Sequence, residues 1–414
     1  MICSKFYSQA GLNELSVGLQ KTATAAPPPT GYIPPPPILM NTTYWLLLDV
    51  SVLFGVMLLT GIIIPQILLI AFRKNLFDTP DPRKIHKTEI PRLGGIAFFP
   101  SILLVFFLLY GFGIMIGNDV LVSYLLRNIQ PICFFSAGAI LLYLTGMADD
   151  LVGVKYRAKF IVQILSAVFV IIGGLEMDSL HGFLGIYGIH QAIAIPLTVL
   201  LIVFITNAIN LIDGIDGLAS GLSAIACAFY AFVFINAELY IFSALAVAVL
   251  GTLIPFFVYN VFGNPAKHRK IFMGDTGALT VGLFLSVMCL RLCQLEKTTD
   301  GVNPAVIALA PLLIPCLDVV RVYLHRLRAH RNPFLPDKTH IHHKLLAVGM
   351  GQRTAMMAII GSSALWTAAN YWLSHMVDIT VLFVCDLALW ILVNNLLSRS
   401  IRSREKALSQ TLYE

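Results

Sequence analysis

Eleven apolar stretches, most of them near 20 residues long, leave this chain few ways to fold. They run roughly over 44–72, 94–116, 131–148, 159–175, 191–209, 217–235, 238–260, 275–292, 303–324, 355–374 and 379–397. A helix rises about 1.5 Å per residue, so about 20 apolar residues cross the hydrocarbon core of a bilayer. The expectation is an all-α polytopic membrane protein with about eleven transmembrane helices. Composition agrees: the chain is 57% hydrophobic and 12% charged, and the charged share of an ordinary soluble domain is about twice that. The seven cysteines lie mostly inside apolar runs without a CxxC pair, so buried free thiols are the better reading than a redox or metal site.

Residues 1–39 stand apart. They hold PPP at 27–29 and PPPP at 34–37 and have no run long enough to span. Such text reads as a disordered extension or a mis-called start upstream of Met40. The membrane domain is then 40–398, with a basic tail over 399–414. Lys and Arg set the orientation. With the segment after the first span placed in the cytoplasm, 23 of the 28 basic residues fall on the cytoplasmic side. The N-terminus is then outside and the C-terminus inside. Every unusual polar motif also falls on the cytoplasmic side.

The central motif is Asn207 to Gly217, NAINLIDGIDG, which follows an uncharged run from Ala192 to Thr206. At helical pitch Asn207, Asn210 and Asp213 lie within about a third of a turn, so one face becomes polar. A carboxylate at the centre of a membrane helix costs roughly 2.5–3.5 kcal/mol. Asp213 and Asp216 together at a helix end are better explained by a site that uses them than by a polar cap. Upstream, Asp78 to Gly95 (DTPDPRKIHKTEIPRLGG) is a proline-stiffened cationic loop carrying Arg83, Lys84, His86, Lys87 and Arg92. Contact with anionic headgroups alone would account for its charge. Asp149 and Asp150 end the third span, followed by Lys155, Arg157 and Lys159. Adjacent carboxylates raise one another's pKa and suit a metal-assisted phosphate site or a proton acceptor. Asp275 lies between Gly274 and Gly277 at the start of the eighth span, where a hard-cation ligand is the better bet than a helix-dipole partner. Last come Asp318, the basic loop with Arg331, Pro333 and Pro336, and the cluster His340, His342 and His343. With no cysteine nearby, a phosphate-facing loop fits that cluster better than zinc. Asp337 can orient Lys338 or a histidine.

RKIHKTEIPRLGG, GMADDL, NAINLIDGIDGLASG, FMGDTG and PDKTHIHHKLL, in this order, resemble the polyprenyl-phosphate N-acetylhexosamine-1-phosphate transferases of glycosyltransferase family 4. The likeness runs from about Arg73 to Gly349. HIHH resembles the bacterial undecaprenyl-phosphate N-acetylglucosamine-1-phosphate transferase branch, which begins O-antigen, capsule or teichoic-acid linkage synthesis. The peptidoglycan branch, phospho-N-acetylmuramoyl-pentapeptide transferase, is the alternative and would show three histidines in a row. The resemblance implies attack of undecaprenyl phosphate on a UDP-N-acetylhexosamine at the cytoplasmic face of the bacterial inner membrane, with UMP released. It implies Mg²⁺, with Mn²⁺ as a substitute, on Asp275 and Asp149. It implies catalytic roles for Asp149, Asp150, Asp213, Asp216 and His340. It also implies substrate contacts from Lys84, His86, Lys159, Asn207, Asn210, Arg331, His342 and His343. The partners implied are both substrates, the bilayer and, as is common in the family, a second copy of the chain; no nucleic acid is expected.

The chemistry of the residues fits. Two anionic substrates meet, so the site needs a divalent ion and fixed cations. Direct attack and a covalent aspartyl intermediate both remain open. A secondary transporter, the distant alternative, would place its charges near the midplane, often in two related halves. Here they cluster at one face, without an internal repeat.

Overall fold

The computed structural model describes residues 37–77, 90–296, 298, 301–330 and 339–411. The chain separates into two compact units, Met1–Thr43 and Tyr44–Glu414. All that is described of the first is the start of the first helix. Lys84, His86 and Arg331 lie outside the described residues, as do Pro333, Pro336, Asp337, Lys338 and residues 1–36.

The helices are α1 (Pro37–Lys74), α2 (Phe98–Met115), α3 (Asp119–Arg127), α4 (Ile129–Val152), α5 (Tyr156–Ile172), α6 (Gln191–Ile212), α7 (Leu218–Asn236), α8 (Tyr240–Phe257), α9 (Gly274–Cys293), α10 (Pro304–Leu309), α11 (Leu313–Arg328), α12 (Ile341–Val348), α13 (Gln352–Leu373) and α14 (Ile379–Thr411). The protein is thus an all-α polytopic membrane protein. Each of the eleven predicted stretches coincides with a helix or, for 303–324, with α10 and α11 in succession. Among the described residues nine helical segments are long and apolar enough to cross a membrane. The other two differ for local reasons. Helix α5 has only 17 residues. Helix α13 carries Thr354, Ser362, Ser363, Thr367 and Asn370 along its length.

Three features were not expected. A short antiparallel hairpin, β1 (Ser179–Phe183) with β2 (Ile186–Gly188), links α5 to α6. The short helix α3 lies between the second and third spans, with the Asn118 side chain accepting from Leu121 N–H at its start. Helix α14 runs on to Thr411, so the predicted basic tail begins as helix.

Helix α9 is the centre of the bundle. Of the residues in its apolar window 94% are buried, against 28% for α1, α4 and α14; Leu47, Phe54 and Leu58 of α1 and Leu389 and Ile391 of α14 are exposed. Helix α9 packs on α4 and α6 and on the 3₁₀ turn Gly94–Ala97. Small residues allow the close approach: a Cβ on Gly146 would lie 2.5 Å from Thr276 Cα, and one on Gly282 2.7 Å from Thr206 Cα. Phe135 of α4 and Phe284 of α9 close the gap above, edge to face at 4.9 Å. The central helix therefore begins beside the C-terminal ends of α4 and α6, the helix ends that carry the acidic motifs.

Candidate active site

Helix α9 starts at a tight corner. Gly274 has φ +73°, and a Cβ there would collide with the Arg92 carbonyl oxygen and reach Asp150 Oδ2 at 2.5 Å. The corner is laced to the stretch Pro91–Gly95 that leads into α2. Phe272 N–H donates to Pro91 O (2.9 Å), Gly94 N–H to Phe272 O (2.9 Å) and Gly95 N–H to Met273 O (2.8 Å). Four N–H groups at a helix start lack helical partners. Asp150 takes two of them: Oδ1 accepts from Asp275 N (2.8 Å) and Oδ2 from Thr276 N (2.9 Å) and Thr276 Oγ1 (2.6 Å). Asp150 thus docks the end of α4 onto the start of α9.

Its neighbour faces elsewhere, because consecutive helical residues point about 100° apart. Asp149 Oδ2 accepts from Lys159 Nζ at 2.7 Å, and the same ammonium reaches Asp275 Oδ2 at 2.5 Å. Asp149 Oδ1 accepts from Val154 N (2.6 Å). The Asn210 side chain lies next to Asp275. Oxygens of Asp149, Asp150 and Asp275 all lie within 4.8 Å of one another. These half-buried carboxylates are hard oxygen donors, the kind that Mg²⁺ and Mn²⁺ take.

The Asn207–Gly217 motif straddles the end of α6 and the turn into α7. Its members divide. Asn207 Nδ2 donates to Gln163 Oε1 (2.7 Å) and Val203 O (2.7 Å), tying α6 to α5. Asn210 faces Asp275. Asp213 terminates α6. Solvent reaches its carboxylate, yet enough protein surrounds it that burial raises its pKa to about 7; Arg92 pulls down, while Asp216, Asp275 and Asp150 push up. Asp216 Oδ2 pairs with Lys270 Nζ at 2.5 Å. The turn is fixed by Asn260, whose Oδ1 accepts from Gly217 N (2.6 Å) and whose Nδ2 donates to Ile271 O (2.8 Å).

The histidine motif closes over this turn. A Cβ on Gly214 would collide with His342 Nε2. His342 is buried and its ring nitrogens find no partner among the described residues. Burial lowers its pKa to about 3, with His343 and His340 adding to the shift, so its ring is neutral. His340 stacks parallel to it, 5.8 Å between centroids, and the His343 ring lies tilted 4.2 Å from it. His340 Nδ1 contacts Asp318 Oδ2 at 2.9 Å.

The fold therefore gathers the described parts of the five motifs at one end of the bundle. Asp149, Lys159 and Asp275 meet directly, Asn210, Asp213 and Asp216 stand beside them, and His342, flanked by His340 and His343, covers the Gly214 turn. Asn207 is turned to α5. Several contributors had no motif of their own. Gln163, Asn260, Lys270 and Thr276 are single polar residues, and only the fold shows that they serve Asn207, the Gly217 turn, Asp216 and Asp150 respectively. Asp318 was visible as a carboxylate in a span, but its partner is 22 residues away.

A model described as glycosyl transferase family 4 matches residues 132–293, which include Asp149, Lys159, Asp213 and Asp275. The chain is 33% identical over 352 residues to a protein of Bacillus subtilis (strain 168) named probable undecaprenyl-phosphate N-acetylglucosaminyl 1-phosphate transferase, covering 82% of this chain and 91% of that one. It is 30% identical over 364 residues to the undecaprenyl-phosphate alpha-N-acetylglucosaminyl 1-phosphate transferase of Salmonella typhi, covering 86% and 92%. To the decaprenyl-phosphate N-acetylglucosaminephosphotransferase of Mycobacterium leprae (strain TN) it is 30% identical over 311 residues, covering 70% and 75%.

Proposed function

We propose that this chain, which belongs to glycosyl transferase family 4, transfers N-acetylglucosamine 1-phosphate from UDP-N-acetylglucosamine to undecaprenyl phosphate. The products are undecaprenyl-diphospho-N-acetylglucosamine and UMP, and the reaction begins a cell-surface polysaccharide. The supporting observation is the meeting of Asp149, Lys159 and Asp275 beside Asn210, Asp213 and the histidine cluster at one end of the bundle. The sugar and the lipid follow the names of the relatives. The basic segments at that end argue for a site on the cytoplasmic face of the bacterial inner membrane.

In the proposed reaction an oxygen of the lipid phosphate bonds to the β-phosphorus of the UDP-sugar. The bond from that phosphorus to the bridging oxygen breaks, and UMP leaves with the electron pair. A phosphomonoester has a second pKa near about 6 and is largely dianionic at neutral pH. No strong base is then required, and positioning and charge neutralisation carry the catalysis. Asp149 and Asp275 would hold Mg²⁺, with Asp150 fixing the corner from which Asp275 projects. Bound there, the ion supplies charge neutralisation for the diphosphate. Lys159 contributes a fixed cation for a phosphate, and Asn210 orients Asp275. Asp213, titrating near neutrality, gives or accepts a hydrogen bond to the nucleotide sugar. Asp216 and Lys270 hold the turn that carries it. His340 and His343 engage the diphosphate, and the neutral His342 packs the loop onto Gly214.

The test uses purified protein, short-chain polyprenyl phosphate and Mg²⁺, with UDP-N-acetylglucosamine, UDP-N-acetylgalactosamine and UDP-N-acetylmuramoyl-pentapeptide offered in turn. UMP release with the first, dependent on the lipid, is the expected result. Release with only the pentapeptide donor would transfer the protein to the peptidoglycan branch. No release with any donor would contradict the reading.

A further inference from the structure

Asp318 lies six residues into α11 with its carboxylate wholly buried. Oδ1 accepts from Arg321 Nη2 (2.8 Å) and from Ile341 N (3.1 Å), and Oδ2 lies 2.9 Å from His340 Nδ1. Arg321 Nη2 also donates to Thr339 O at 2.5 Å. One turn of α11 therefore holds the backbone on both sides of His340 as well as its ring. An ionised carboxylate only accepts hydrogen bonds, so the imidazole carries a proton on Nδ1. Nε2 is the ring nitrogen left for another partner. The ring stacks on His342, which lies against the Gly214 turn.

We propose that Asp318 is the positioning residue for His340: it holds the proton on Nδ1 and presents Nε2 to the diphosphate of the bound nucleotide sugar. This rests on the reading above in which His340 engages that diphosphate. An imidazole gripped through one nitrogen by a carboxylate has a fixed tautomer and ring orientation, which is what a working second nitrogen requires. Arg321 offsets the charge of Asp318 and braces it, so the pair delivers orientation rather than net charge. Nothing in the spacing from Asp318 to His340 shows this; the contact forms because α12 begins beside α11.

Two kinds of variant test it. A glutamine amide nitrogen reaches near the place of histidine Nε2, and an asparagine near Nδ1. His340→Gln is expected to keep at least about tenfold more UMP-releasing activity than His340→Asn, since the asparagine meets only Asp318. Asp318→Asn offers a donor where acceptors are needed. It is expected to lower kcat by about 10–100-fold with KM for the UDP-sugar changed much less, and to cause little further loss in a His340→Ala background. ¹⁵N NMR of the labelled histidines reads the tautomer without turnover. His340 is expected to be Nδ1-protonated in the parent protein, with the signal shifted in Asp318→Asn. Equal activity of the two His340 variants, wild-type kcat in Asp318→Asn, an undiminished further loss in His340→Ala, or an Nε2–H tautomer in the parent would each overturn the proposal. If Asp318→Asn does not accumulate, the His340 pair and the parent's tautomer still decide. If the parent releases no UMP, the functional reading fails by itself, and the tautomer alone decides whether Asp318 positions the ring.

Discussion

Burial lowers the His342 imidazole to a pKa of about 3, whereas an unfolded histidine titrates near 6.5. Between those values the unfolded chain holds a proton that the folded chain lacks, so stability falls as pH drops through 6.5. From pH 6.5 to pH 5 the loss is about 2 kcal/mol. Thermal unfolding in detergent at pH 7.5, 6.5 and 5 is expected to show a steeper decline for the parent than for His342→Gln. Parallel declines would mean that the ring is not held neutral. At this scale the sequence supplied residue types and left pairings open. Asp149 and Asp150 read as one acidic pair, but helical geometry sends one to Lys159 and the other to the start of α9. Asn207 shares a face with Asn210 in the sequence pattern, and the fold adds that its amide donates to Gln163 of α5. The HxHH spacing groups the three histidines, and only the fold shows that His342 is buried against Gly214.

Among the elements, the contact between α4 and α9 sets the distance from Asp149 to Asp275. Gly146 permits it, with the Thr276 backbone where a side chain would go. Gly146→Val inserts three carbons into that contact, and overpacking of this kind costs about 1–3 kcal/mol. The variant is expected to melt lower than the parent and to lose UMP release even where it remains folded. Full activity at the parent's melting temperature would show that the two helix ends move independently. Apolar runs located the long helices because the bilayer demands uninterrupted apolar length. The hairpin β1–β2 and α3 escaped because each is too short to develop a periodic signal. The same limit hides α12, an eight-residue helix that the histidine motif itself forms.

Across the molecule, the hairpin and the acidic cluster mark opposite ends. His181 Nε2 contacts Cys293 O (2.6 Å), Asn303 donates to His181 O (2.8 Å), and Thr380 Oγ1 accepts from Leu184 N (2.8 Å). These are the C-terminal end of α9 and the approaches to α10 and α14, whereas Asp275 opens α9. Basic residues are sparse at the hairpin end and dense at the other. On the proposed orientation, Ser179→Cys reacts with a membrane-impermeant thiol reagent on intact cells and Ser403→Cys reacts only after lysis; the reverse pattern would invert the topology. The family and the bundle were legible from motif order and apolar length. What the motifs do to one another emerged only when the central helix placed its N-terminus beside α4 and α6.

On the proposed reading, Asp149 and Asp275 form one cation site on which transfer depends. The most direct measurement is Mn²⁺ binding followed by electron paramagnetic resonance, with Mg²⁺ competition and UMP release measured on the same preparations. The parent is expected to bind Mn²⁺, to release it to Mg²⁺ and to be active with either. Asp275→Asn is expected to lose both binding and turnover while remaining folded. Unchanged Mn²⁺ affinity or near-normal Mg²⁺-dependent activity in Asp275→Asn would contradict the account.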